Sequence, residues 1–298
     1  MRILINRYDR IGNINAPSFL TAMAQLMYLR DLRLDIYPMS PAVLASIYQL
    51  LPRFTALSDL VLSLRSYENE NDSMELINAV TSGCNLYLPS LRTLSISTDT
   101  PHEDMITAFN KLLEPASSPV LERLFLEITR PFGNSDRNAE IHRIIDAFEE
   151  TLGRLTAISV AVHSNDVAWD LVLPKLFACT RSVKRLFITV DSISYVSLEA
   201  LQILPRSVEE LIILFPTWRM TWGSHDEELR MFVTDGKRPK LRKLSVGYSY
   251  EIFFGVEEPT GAVFMTGTEA ACRAKNVVFV NLKLDDVVDG SSLIRDWY

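Results

Sequence analysis

Several residue types that mark other classes of protein are scarce in this chain. Its 298 residues contain only three cysteines, Cys84, Cys179 and Cys272, which lie far apart. An odd, scattered set is a poor disulfide framework, so we expect an intracellular protein, cytoplasmic or nuclear. Eleven glycines are few for an enzyme that cradles a nucleotide, and no glycine-rich phosphate loop is present.

Long apolar runs and an excess of positive charge are also missing. No run approaches the roughly 18 apolar residues of a membrane-spanning helix. The start, "MRILINRYDR", has too short an apolar run for a signal peptide. The formal net charge of -7 argues against a nucleic-acid binder, whose basic footprint would be expected. We therefore expect neither a nucleic-acid partner nor a membrane partner.

Signatures of catalysis are equally scarce. The sequence contains no nucleophile elbow, no dinucleotide-binding glycine pattern and no zinc-protease motif. The four histidines stand singly, with no cysteine at metal-ligand spacing. We therefore predict no catalytic residue, no metal site and no cofactor, and we do not expect an enzyme.

One short strand pattern, apolar-x-x-apolar-x-apolar-x-apolar, is abundant. It occurs nine times, with starts 25 to 36 residues apart and 31 on average. Self-similarity at such a period indicates a solenoid, in which each unit packs on its neighbours. A tenth, partial strand is predicted at "RILIN", 28 residues before the first full one. The nine first positions are Leu29, Leu57, Leu91, Leu121, Leu155, Val183, Val208, Leu241 and Val277.

The segments between the strands are predicted to be helices. Apolar residues recur at three- and four-residue spacing in "EDMITAFNKLL" and "NAEIHRIIDAFEETL", which is typical of amphipathic helices. Proline precedes several strands, as at Pro89, Pro119 and Pro205, and proline ends a helix. Strand and helix thus alternate along the chain, which predicts one solenoid domain spanning 1–298.

Two segments near the C-terminus are longer than the repeat requires. Segment 215–228 carries Trp218 and Trp222, and segment 248–267 has two apolar runs around "EEPTG" that predict a hairpin. We expect both to seal the C-terminal end of the solenoid, since a terminal repeat must cover its core. Contact with a partner is the alternative.

A closed eight-stranded α/β barrel is the main alternative fold, because it needs about 250 residues. Barrel strands are covered on both faces and tend toward continuous apolar runs, whereas these strands alternate. We therefore predict an α/β fold that forms an open solenoid or horseshoe. It has a parallel inner sheet, outer helices and nine to ten repeats.

The strands resemble those of leucine-rich repeats, whose core is L-x-x-L-x-L, and the period resembles that of the ribonuclease-inhibitor-like class. The common motif carries Asn or Cys two residues after its third apolar position. This chain departs from it, so we expect irregular turns after the strands. Such degenerate repeats resemble the C-terminal regions of fungal F-box proteins. The motif position holds Tyr37, Arg65, Asp99, Thr129, His163, Asp191, Pro216, Ser249 and Asp285.

The resemblance implies a protein-recognition module, and more narrowly the substrate-recognition part of an SCF-type (cullin) ubiquitin ligase. In that family an F-box binds a Skp-type adaptor. No F-box is recognised before the first repeat, so this adaptor is an expected partner only if an F-box lies upstream. The alternatives are a free-standing scaffold or regulator and, third, a GTPase-activating repeat protein. In each case a protein partner is expected on the concave face.

The alternation of the strands separates a core face from a candidate binding face. Two phenylalanines beside a row of small residues would leave an apolar notch with a charged rim, as recognition hot spots have. The alternative is that these side chains cover one another or lie beneath an insertion. The predicted contact residues are Arg123, Phe125, Glu127, Arg185, Phe187, Glu210, Ile212 and Leu214. The predicted buried residues are Leu124, Leu126, Ile158, Val160, Leu186, Ile188, Leu211 and Ile213.

Overall fold

The protein was analysed as a computed structural model. It describes residues 2–5, 26, 28–39, 47–66, 86–98, 103–128, 137–162, 169–190, 201–216, 222–237, 240–249 and 265–282.

Ten strands form one sheet, in which each strand lies next to the strands that precede and follow it in sequence. Because β1 and β10 stand at the two ends of this order, the sheet is open. The predicted open α/β solenoid is therefore confirmed, and the barrel is excluded. The strands are β1 (Arg2–Ile5), β2 (Asp31–Met39), β3 (Asp59–Ser66), β4 (Thr93–Thr98), β5 (Arg123–Ile128), β6 (Ala157–Val162), β7 (Arg185–Val190), β8 (Glu210–Pro216), β9 (Lys243–Ser249) and β10 (Val278–Asn281).

Helices lie between the strands. The five longest in the described part of the chain are α1 (Glu103–Leu113), α2 (Arg137–Leu152), α3 (Trp169–Cys179), α4 (Trp222–Thr234) and α5 (Thr266–Ala274). The first two match predicted helices. The third, which has Pro174 inside it, lies between two strands, where the sequence predicts helices.

The two long C-terminal segments are only partly described. Strand β8 runs to Pro216 and α4 begins at Trp222, so much of 215–228 belongs to regular elements of the repeat. In 248–267, β9 ends at Ser249 and α5 begins at Thr266. The predicted hairpin turn, and most of the turn positions expected to be irregular, lie outside the described residues.

The chain divides into two compact units, Met1–Ile158 (unit 1) and Ser159–Tyr298 (unit 2). The single domain 1–298 stays a prediction.

In unit 1, one hydrogen-bond pattern joins successive strand starts. The carbonyl of Arg30 accepts the amides of both Ser58 and Asp59, at 2.9 and 3.0 Å. The carbonyls of Ser58, Arg92 and Glu122 each accept the equivalent pair of amides from the next strand. Because a carbonyl oxygen has two lone pairs, a single oxygen fixes two consecutive residues of its neighbour.

Unit 2 repeats this pattern. The carbonyl of Lys184 accepts the amides of Glu209 and Glu210 at 2.7 and 2.9 Å. The carbonyl of Glu209 in turn accepts those of Arg242 and Lys243 at 2.7 and 3.1 Å. From β7 to β9 each strand start is therefore held to the next at a fixed register, while the carbonyl of Arg242 accepts the amide of Val278 at the start of β10.

The register places apolar side chains in continuous rows. In unit 1, Leu32, Leu60, Leu94 and Leu124 stand opposite one another across β2 to β5, and each is at most 1% exposed. Leu126 is only half-buried, so its predicted full burial is wrong. The other predicted core residues, Leu124, Ile158, Val160, Leu186, Ile188, Leu211 and Ile213, are at most 5% exposed, as expected.

Both terminal strands are shifted by one residue from the predicted register. Phe279 lies opposite Leu244, where the repeat pattern places Val280. Ile3 lies opposite Leu32, a spacing of 29 residues instead of 28. Such a shift turns every side chain to the other face. The segments "RILI" and "VVFV" are apolar at consecutive positions, so their alternation cannot specify which face is buried.

Polar side chains close helix ends between repeats. In unit 1, the carbonyl of Leu113 at the end of α1 accepts bonds from the Thr151 hydroxyl at 2.7 Å and the Arg154 guanidinium at 2.9 Å. In unit 2, the carboxylate of Asp226 accepts backbone amides at the start of α5, including that of Thr268 at 2.7 Å. Helix ends carry backbone groups without intrahelical partners, so these contacts stabilise the helices and tie each to its neighbour.

Two leucines of β5 provide a test of the core. Leu124→Ala should lower the free energy of unfolding by about 2–5 kcal/mol, because it opens a cavity at a fully buried site. Leu126→Ala should cost less than about half as much, because its half-exposed side chain has less packing to lose. Urea unfolding of both variants measures the difference. Equal losses would contradict the observed burial.

Candidate functional site

Five of the predicted contact residues lie together in unit 2, on the open face, which we define as the sheet face opposite the buried rows. Arg185 of β7 stands opposite Glu210 of β8. Phe187 stands opposite Ile212, and Leu214 lies two residues further along β8. The strand pairing therefore places these five residues next to one another.

The remaining three lie on β5 in unit 1. Arg123, Phe125 and Glu127 occupy alternate positions on the open face, opposite Thr93, Ser95 and Ser97 of β4. Arg123 and Glu127 are half-buried. That all eight residues form one binding surface stays a prediction.

The four apolar members of the set are buried in the chain itself. Phe125 is 4% exposed, Phe187 and Ile212 are each 5% exposed, and Leu214 is 3% exposed. The expected exposed apolar notch is therefore wrong for these side chains. Their burial agrees with the alternative, in which they are covered by other side chains.

Gly247 explains how Leu214 comes to be covered. Leu214 stands opposite Gly247 of β9. A Cβ atom added at Gly247 would lie 2.8 Å from Cδ2 of Leu214 and 2.9 Å from Cβ of Leu282. The two leucines thus fill the space that the glycine leaves. A glycine inside a strand often marks such a close approach, but Leu282 was missed because the predicted register placed it in the core.

The charged members remain accessible. In unit 2, Nε of Arg185 donates to Oε2 of Glu210 at 3.0 Å, and about a third of each side chain is exposed (34% and 33%). A partly exposed ion pair of this kind contributes little to stability, about 0–1 kcal/mol. Its groups are therefore available for contacts with a partner.

The open face of unit 1 differs from that of unit 2, which the sequence analysis did not anticipate. Its central positions on β2 to β4 are half-buried and mostly polar or small, whereas the equivalent positions on β7 and β8 are buried and, except for Thr189, apolar. The half-buried residues in these rows are Arg33, Val61, Ser63, Ser95 and Ser97. Among these half-buried residues, Val61 is the one apolar side chain that a partner could contact.

Among the described side chains, no group of three His, Cys, Asp or Glu residues could hold a metal ion. Burial raises the pKa of the Cys272 thiol to about 11, so this thiol stays protonated at neutral pH and is a poor nucleophile. Burial also lowers the pKa of His225. Within the described ranges, no helix is long and apolar enough to cross a membrane.

Comparisons with known proteins show a likeness to solved structures. No family model matches the chain. No curated protein matches it. Among solved structures, it is similar to the leucine-rich repeat-containing protein LegL7 from Legionella pneumophila. The identity is 13%, over 96% of this chain and 95% of that chain, with a TM-score of 0.48.

Two substitutions in unit 2 distinguish a buried side chain that stabilises the sheet from a charged side chain that a partner can reach. Phe187→Ala should lower the free energy of unfolding by about 3–5 kcal/mol, because the ring is buried. Glu210→Gln should cost less than about 1 kcal/mol, because it breaks only an exposed ion pair. Thermal and urea unfolding measure both. An unchanged melting temperature in Phe187→Ala would show that the ring is exposed in solution.

Proposed function

We propose that the chain is a protein-recognition module that holds a protein partner on the open face of its sheet. The observation that carries this proposal is the half-exposed surface of unit 1, where Arg33, Val61, Ser63, Ser95 and Ser97 lie in adjoining rows of β2 to β4.

Two properties suit this surface to a protein partner. First, its side chains stand on hydrogen-bonded strands about 4.8 Å apart, so their positions are fixed before binding and less conformational entropy is lost. Second, serine hydroxyls, a guanidinium and a small apolar side chain offer donors, acceptors and close approach over a broad area. Rigid elements position contact groups better than loops do.

The eight predicted residues divide into two roles under this proposal. The charged residues Arg123, Glu127, Arg185 and Glu210 contact the partner. The buried residues Phe125, Phe187, Ile212 and Leu214 support the charged ones from within the sheet face. Polar residues around a binding surface commonly set specificity and orientation.

A finer form of the proposal is that the module selects substrates for an SCF-type ubiquitin ligase. This form rests on the resemblance of the repeats to those of fungal F-box proteins. A direct binding assay between the full-length gene product and a purified Skp-type adaptor tests it. Measurable binding supports the ligase role. Absence of binding favours a scaffold or regulator that binds its protein partner without recruiting a ubiquitin ligase.

A matched pair of charge reversals tests the open face. Arg33→Glu places a negative charge in the half-exposed rows of β2, while Arg143→Glu makes the same change on the exposed side of α2. Both side chains are accessible, so both variants should fold. Affinity for a partner captured with the wild-type chain should fall at least about tenfold in Arg33→Glu. It should change little in Arg143→Glu.

Affinity measured with purified partner decides the outcome. If Arg33→Glu binds as the wild type does and Arg143→Glu does not, the partner lies on the helices and the proposal is wrong.

A further inference from the structure

Positive charge is concentrated at one edge of unit 2. We compare the strand-start segments, which run from two residues before the first apolar position of each repeat to two residues after it. In unit 2 the described segments carry eight cations and two carboxylates, in a chain whose net charge is -7. We call these segments, 181–185, 206–210, 240–243 and 275–279, the basic edge.

The equivalent segments of unit 1 lack this excess. They carry four cations, Arg30, Arg92, Arg123 and Arg154, and three carboxylates, Asp31, Asp59 and Glu122. The repeat geometry is the same in both units, since the same carbonyl pattern joins their strand starts. The charge of the basic edge is therefore not a requirement of the fold.

The two carboxylates of the basic edge are already paired. Glu210 accepts from Arg185 at 3.0 Å, and Glu209 lies 3.7 Å from Arg242. In the described part of unit 2, the other six cations form no ion pair, and all but Lys243 are exposed. They are Arg181, Lys184, Arg206, Lys240, Lys243 and Lys275.

Gathering like charges along neighbouring strand starts raises the energy of the folded chain, because strands lie only about 4.8 Å apart. A binding partner of opposite charge would remove that repulsion. Resting on the proposed function, we propose that the basic edge binds an acidic segment of the protein partner, rich in aspartate and glutamate. An extended segment of about five residues spans the roughly 14 Å from β7 to β10.

Nucleic acid is the other polyanion that such an edge could attract, and the described residues favour protein. Proteins that bind single strands combine positive charge with aromatic side chains on which bases stack. In the described part of the basic edge, the one aromatic residue is Phe279, which is half-buried and stands opposite the core residue Leu244.

The test is the affinity of the full chain for a fluorescein-labelled oligoglutamate of about eight residues, long enough to cross the edge. Fluorescence anisotropy measures binding at low and at near-physiological salt. The edge variant combines Lys184→Gln, Lys240→Gln and Lys275→Gln. The control combines Arg30→Gln, Arg53→Gln and Arg143→Gln, which remove the same charge from exposed cations of unit 1.

We expect the wild type to bind and to lose affinity as salt rises, since ions screen exposed charges over about 10 Å at 0.1 M. The edge variant should bind at least about tenfold more weakly, and the control should change less than about twofold. Failure of the wild type to bind at low salt, or equal losses in both variants, would overturn the inference. Tighter binding of an oligothymidylate of equal charge, lost in the same edge variant, would also overturn it in favour of nucleic acid.

Failure of this inference is distinguishable from failure of the proposed function. A protein partner that depends on Arg33 but binds the edge variant with full affinity overturns only the acidic-segment inference. Partners that bind Arg33→Glu unchanged overturn the proposed use of the open face, whatever the oligoglutamate assay gives.

Discussion

The structure depends on one repeated contact, in which the carbonyl at a strand start accepts two consecutive amides of the next strand, from β2 to β6 in unit 1 and from β7 to β9 in unit 2. In unit 1 the carbonyl of Arg30 holds Ser58 and Asp59, and in unit 2 that of Lys184 holds Glu209 and Glu210. The contact is made by backbone atoms and requires no particular side chain. Repeats that differ in length from 25 to 36 residues can therefore share one register, because the variable segments lie outside the ladder.

The side chains at the strand starts are not needed to set the register, so they can serve recognition. Because the backbone alone sets the register, the residues at the strand starts can be chosen for charge. Unit 1 mixes both signs there, while unit 2 gathers cations around the paired glutamates Glu209 and Glu210. The same scaffold thus presents a polar, half-exposed sheet face in one unit and a basic edge in the other.

The sequence predicts the fold well where side chains alternate in polarity. A strand such as β4, in which the half-buried Ser95 stands between the buried Leu94 and Ile96, specifies its own buried face. The prediction is wrong at β1 and β10, where consecutive apolar residues allow either face to be buried and one neighbour sets the register.

The candidate site could be predicted only in part, because exposure on the open face depends on distant neighbours. Pairing of Arg185 with Glu210 follows from the register alone. Burial of Leu214 does not, since it depends on the absence of a side chain at Gly247, which stands opposite it on the next strand. A pattern within one strand contains no information about such cross-strand packing, so the apolar side chains were expected to be exposed.

Residue-resolved hydrogen exchange of the backbone amides tests the central claim, that single carbonyls hold consecutive strand starts together. The account predicts slow exchange at both members of each amide pair, Ser58 with Asp59 in unit 1 and Arg242 with Lys243 in unit 2. Both amides of a pair bond to the same oxygen and open together with the strand. Exchange of either pair as fast as that of exposed turn amides would contradict the account.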